Sequence, residues 1–182
     1  MLALAMLVAF GCSDPISVDD TAAPEVESRR FTPPVGQDFR NLTIAGVVVA
    51  VVNDSGEFSI LLEALSRVDL VGAVDGNTPL TVFAPTNDAF VALLGELGAT
   101  SLDDIDDDTL TQVLLYHVVP GRVTAELVLG SSQLTTLQGG KLTVNAGDVS
   151  LTDQNGRTSD IVGVNIAPRN GIIHVINKVV LP

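Results

Sequence analysis

The chain has 182 residues, 22 acidic side chains against 9 basic ones, a formal charge of −13 and 46% hydrophobic residues. That apolar content excludes a disordered acidic tail, and the length suits one domain with short extensions. Nine scattered Lys and Arg in a negative field, with 6 Phe, 1 Tyr and no Trp, leave neither a basic stripe nor a stacking platform. Nucleic-acid binding is therefore close to excluded, and sugar binding by stacking is disfavoured. The core must be aliphatic, built from 26 Val, 23 Leu and 9 Ile.

Met1 to Phe10 is an apolar run of ten, too short to span a bilayer and of the length of a signal-peptide core. Gly11 and Cys12 follow, and a small residue before a lone cysteine at this place resembles the bacterial lipoprotein cleavage site. In that reading residues 1–11 are a signal peptide and Cys12 is the lipidated N-terminus. Ser13 after it favours the outer membrane, by analogy with enteric bacteria. The alternative is an ordinary secretion signal. Either way the protein is exported; in the lipoprotein reading the lipid is its only contact with the membrane. One cysteine excludes an internal disulfide and a Cys-based zinc site. Residues 12–40, with four prolines and several acids, read as a flexible tether. Residues 41–182 form the domain, with 16 acids and 6 bases.

Ile44 to Val52 is a continuous apolar run. Valine propensity says strand, while Ile44, Val47, Val48 and Val51 also fit one helical face. Phe58, Leu61, Leu62, Leu65 and Val68 lie at helical spacings, giving an amphipathic helix from Glu57 to about Asp69. Leu80 to Ala84 is a strand stopped by Pro85. Thr86 caps the next helix, Asp88 favours its positive end, Phe90, Leu93, Leu94 and Leu97 form its buried stripe, and Gly98 ends it. Ser101 and Asp104 have capping-box spacing, and a helix then runs through Leu110, Val113, Leu114 and His117. Val119-Pro120-Gly121 turns the chain.

After Gly139 the period becomes two: Lys141–Asn145, Val149–Thr152, an Asn155-Gly156 hairpin, Val162–Ile166, a Pro168–Gly171 turn and Ile172–Ile176. Helices come first and antiparallel strands follow, mainly in the C-terminal half, so the class is α+β.

No constellation for catalysis stands out. The aspartates at 103, 104, 106, 107 and 108 lack the glycine and the final carboxylate of a calcium loop, and read as a solvated acidic turn at a helix start. His117 lies on an apolar stripe near a helix C-terminus, which would favour its imidazolium form, and His174 lies in a strand apolar on both faces. Both read as core residues. There is no nucleophile elbow, phosphate loop or His-Glu-x-x-His motif. An acid pair of the glycosidase type is a weak third reading, because 16 acids make accidental pairs easy. No catalytic, cofactor-binding or metal-ligating residue is assigned.

Three segments carry a resemblance: Thr81-Val82-Phe83-Ala84-Pro85-Thr86-Asn87-Asp88-Ala89-Phe90, Leu114-Leu115-Tyr116-His117-Val118-Val119-Pro120-Gly121, and Gly171 through Pro182. In order and spacing they resemble the first, Tyr-His and last blocks of the fasciclin (FAS1) domain family. The resemblance covers about residues 41–182. It implies a β-sandwich or wedge with helices packed on it, and a non-enzymatic extracellular adhesion or interaction module whose partner is a protein, matrix or cell-surface component. In animal members the Tyr-His block and an Asn-Lys-Asp-Ile-like segment are implicated in integrin binding. Tyr116 and His117 match the first, and Asn177 and Lys178 match part of the second, with Val179 and Val180 in place of Asp-Ile. These four are the candidate interaction residues. The alternative function is a carrier of a small apolar ligand, held in a pocket of the aliphatic core.

Overall fold

The structure is a computed structural model and describes residues 38–182. The expected signal peptide, Cys12 and the tether up to residue 37 lie outside the described residues.

The Val-rich run that periodicity left open is helix α1, Ile44–Ser55. The Thr43 hydroxyl accepts the Gly46 N–H at 3.1 Å at its start, and Gly56 ends it with a φ of 75°. Ile44, Val47, Val48 and Val51 are its buried stripe, so burial of one face outweighs the strand propensity of valine. Helix α2 spans Ser59–Arg67, two residues shorter at its start than expected: Phe58 has left-handed backbone and sits buried just before it. A short helix α3, Val71–Asp75, follows.

Strand β1 is Leu80–Pro85, and Thr86 caps helix α4, Asn87–Leu97, by accepting the Ala89 N–H. Phe90 and Leu93 of α4 are buried, but Leu97 is 56% exposed and does not belong to the stripe assigned to it. The Ser101–Asp104 capping box is real, yet it closes a single 3-10 turn, Leu102–Asp104. Helix α5, Asp107–Tyr116, has its own cap in Asp106, whose carboxylate accepts the N–H groups of Asp108 and Thr109.

The remaining elements are β2 Val118–Pro120, α6 Ala125–Gly130, β3 Gln133–Thr135, β4 Lys141–Asn145, β5 Ser150–Thr152, β6 Thr158–Ile166 and β7 Gly171–Ile176. With β1, these strands form one sheet in the order β2-β1-β7-β6-β5-β4-β3. Every pair is antiparallel except β1 with β7, which run parallel from Leu80↔Gly171 to Pro85↔Ile176. The outer strands approach each other where Leu137 N–H donates to Val118 C=O at 2.7 Å. The sheet therefore curls and separates two cores. One lies under α1–α5 and takes Val82, Ala84, Ile173 and Val175; the other lies inside the curl and takes Phe83, Tyr116, Leu142, Leu151 and Ile176. Alternation along β1 and β7 sends successive side chains to the two cores. The fold is α+β, as expected. No helix among the described residues is long and apolar enough to cross a membrane.

Candidate functional site

The four candidate residues fall into two pairs joined by the chain's last segment, residues 177–182. Tyr116 ends α5 and has no exposed surface; its hydroxyl donates to Lys141 C=O at 2.7 Å, and burial raises its pKa above the ordinary value. His117 caps the same helix and is 2% exposed. Its Nδ1 lies 2.7 Å from Val113 C=O, and its Nε2 accepts the Val180 N–H at 3.2 Å. Both contacts are made at once only by the neutral ring with the proton on Nδ1. Burial pushes the His117 pKa down to about 4. The expectation that the helix C-terminus favours its imidazolium form is therefore overturned: desolvation outweighs the helix dipole.

Asn177 is half-buried and Lys178 exposed. The Asn177 carboxamide exchanges two hydrogen bonds with Asp160: Nδ2 donates to its carboxylate and Oδ1 accepts its N–H, each at 2.9 Å. The Ser159 hydroxyl accepts the Lys178 N–H at 3.0 Å and donates to the Lys178 C=O at 2.8 Å. The Lys178 ammonium has no ion-pair partner among the described residues. Val179 and Val180, which replace an acid and an isoleucine, are both buried, one in each core. Tyr116 and His117 thus face the interior, where His117 holds the segment at Val180 and Tyr116 holds β4 at Lys141, while Asn177 and Lys178 lie where the segment meets solvent.

Asp153, which sequence reasoning missed, completes this latch. Its side chain has no exposed surface, and its carboxylate accepts the N–H groups of Asn155, Arg157 and Leu181, each at 2.9 Å. Asn170 plays a similar part at the other end of β7, accepting from Ile44 N–H and donating to the carbonyls of Val74 and Gly76. Only its place in a turn before an apolar strand hinted at it.

His174 is fully buried, stacked on Phe83 with ring centroids 5.5 Å apart, and its Nε2 lies 2.9 Å from Val123 C=O. Burial lowers its pKa. The acidic turn is committed to structure: Asp104 accepts from Thr100 and Ser101, Asp106 caps α5, and Asp103 and Asp107 pair with Arg67. No three His, Cys, Asp or Glu among the described residues converge as a metal site. An apolar cavity of about 30 Å³ lies between α2, α3 and α5, lined by Leu65, Leu70, Val74, Leu80, Leu114 and Val118 among others. That is room for about two waters, so an apolar ligand of several carbons does not fit unless the walls move.

Comparison with known proteins bears on the whole domain. The fasciclin domain model matches residues 56–182. The chain is 35% identical over 167 residues to Protein sll1483 of Synechocystis, covering 92% of this chain and 89% of that protein. It is 32% identical to the cell surface glycolipoprotein MPB83 of Mycobacterium bovis, over 74% of this chain and 60% of the relative. A solved FAS1 domain pair from the insect cell adhesion molecule fasciclin I is 20% identical, covers 73% of this chain and 43% of that one, and has a TM-score of 0.48. With its curled sheet, its packed helices and a family match over most of its length, this chain belongs to the fasciclin domain family.

Proposed function

We propose that the protein is a non-enzymatic adhesion or interaction module of the cell envelope, held by a lipid on Cys12 and displayed on the tether of residues 13–40. The observation that supports the non-enzymatic reading is the use of its imidazole and phenol groups. Both histidines and the one tyrosine are buried, and His117 and Tyr116 are committed to holding backbone. A general base must reach the proton it removes, and these side chains do not reach solvent. Similarity to a cell surface glycolipoprotein supports the location. The partner is a protein or matrix component that meets the end of the domain carrying Asn177 and Lys178.

Beads coated with the mature chain should bind a matrix, biofilm or cell-surface preparation more strongly than beads coated with a charge-scrambled control. Equal binding removes the adhesion reading. Cys12→Ser should release the protein from membranes, and unchanged partitioning removes the lipid anchor.

A further inference from the structure

Asn155 and Gly156 form the tip of the β5–β6 hairpin, and Gly156 has a φ of 78°. Asn155 is exposed. Its backbone N–H donates to the Asp153 carboxylate, and the Gly156 N–H donates to Asp153 C=O at 3.2 Å. The Asn155 carboxamide reaches across to the last segment, where Nδ2 donates to the backbone oxygens of Leu181 at 3.4 Å and Pro182 at 3.1 Å. The hairpin tip and residues 181–182 therefore hold each other through one side-chain amide.

An asparagine followed by glycine carries its own reaction, because a backbone nitrogen with no neighbouring Cβ can attack the preceding side-chain carbonyl. Two freedoms are needed. The Gly156 N–H must leave Asp153 C=O, and the carboxamide must turn its Cγ toward that nitrogen. Both are restrained here, the second by the same segment that His117 and Asp153 hold at Val180 and Leu181.

We propose that Asn155 is a modification site gated by residues 177–182: it is guarded from deamidation while the segment is docked and converted once the segment lifts. The Gly156 nitrogen bonds to Asn155 Cγ, the C–N bond of the carboxamide breaks, and ammonia leaves carrying the proton that Gly156 gives up through solvent. Water then opens the cyclic imide at either carbonyl, giving aspartate or isoaspartate, and is the only co-reactant. The product works against re-docking. A carboxylate has no N–H for the oxygens of Leu181 and Pro182, and it sets a second negative charge beside Asp153. The isoaspartate form also adds a main-chain methylene between Thr152 and Thr158, which are paired across this turn.

The test follows conversion at Asn155 by peptide mass spectrometry and isoaspartate labelling, in the full chain at mildly alkaline pH. Val180→Ala removes part of a fully buried side chain from the docked segment and leaves the hairpin tip alone. Conversion should be several-fold faster in V180A than in the native protein, and faster again in the urea-unfolded chain. Equal rates in native and unfolded protein overturn the gate, and that comparison stands even if V180A does not fold. N155D, which supplies the product at an exposed position, should show faster amide exchange at Val180 and Leu181 than the native protein. Unchanged exchange there overturns the claim that conversion releases the segment.

Discussion

The Nε2 of His117 accepts the backbone N–H of Val180 across 63 residues of sequence, at 3.2 Å and away from solvent. The same ring closes helix α5 through Val113 C=O at 2.7 Å. One neutral imidazole thus satisfies an orphan carbonyl at a helix end and an N–H of the final segment, two groups that would each be costly to bury unpaired. His117 is an internal fastener for the segment that carries Asn177 and Lys178, and Tyr116 beside it ties the same helix end to β4.

Protonation of His117 should therefore loosen the fold. Its folded pKa, about 4, lies below the ordinary 6.5. Between those values the unfolded chain binds a proton that the folded ring refuses, so stability falls as pH drops through that window. Above about 6.5 the contribution is fully present. At about 1.4 kcal/mol per unit, His117 alone accounts for roughly 3 kcal/mol across the window. His174 shifts in the same direction and adds to the slope. Urea midpoints measured from pH 7 down to about 4 should fall for the native protein and fall less for His117→Gln. Parallel slopes in the two proteins would remove the histidine from this role.

Tyr116 and Lys178 should separate structure from binding. Tyr116→Phe leaves the ring in the core and removes the bond to Lys141 C=O, costing about 1 kcal/mol. Tyr116→Ala empties a fully buried position and should cost about 3–5 kcal/mol. Lys178→Glu, at an exposed ammonium without an ion pair, should move stability by no more than about 0.5 kcal/mol. In the bead assay Tyr116→Phe should bind like the native protein, whereas Lys178→Glu should bind less. The reverse order would place the contact surface elsewhere.

Local chemistry made several elements legible. Pro85-Thr86 marks the switch from β1 to α4, alternation marks β4, and Asn155-Gly156 marks the β5–β6 turn. The first helix was ambiguous because its valines satisfy helical spacing and strand propensity together, and only the core beneath it decides. Strands β2 and β3 have three residues each, too few to show a period. The parallel pairing of β1 with β7 is set by the whole domain between them. The site was half legible. His117 reads as a core residue from its place on an apolar stripe, and Tyr116 stands out only through the resemblance, but the bond from His117 to Val180 depends on a segment that returns from the far end of the chain. Asp153 looks like any other acid until Leu181 comes back to it.

Arg67 should prove to be the residue that holds the acidic turn. Its guanidinium donates to the carbonyls of Leu102 and Ile105 and pairs with Asp103 at 3.0 Å and Asp107 at 2.7 Å. Those carboxylates are 89% and 64% exposed, so solvent screens the ion pairs, and the carbonyl bonds carry most of the effect. Arg67→Ala should cost about 1 kcal/mol. Arg67→Lys should recover little, because an ammonium cannot reach four acceptors in a fork. Added salt should stabilise Arg67→Ala more than the native protein, since it screens repulsion among five aspartates that lose their counter-charge. Salt titrations of the urea midpoint measure both effects.

Gly171 tests the seam on which the last segment depends. It pairs with Leu80 at the start of the parallel β1–β7 ladder. A Cβ there would collide with the Leu80 carbonyl oxygen and lie 2.7 Å from Ile44 Cδ1. The carbonyl cannot withdraw, because it belongs to backbone fixed between β7 and β2. Gly171→Ala should therefore cost about 3 kcal/mol, at the upper end for overpacking. Gly147→Ala is the control: nothing lies within 4 Å of its added Cβ, and the change should stay within about 0.5 kcal/mol. If Gly171→Ala unfolds at the native urea midpoint, β1 and β7 can separate at this end without cost, and the ladder does not hold the start of β7. If it destabilises as expected, amide exchange should accelerate along β7 toward Ile176, because the strand and the segment that follows it share one hydrogen-bonded seam.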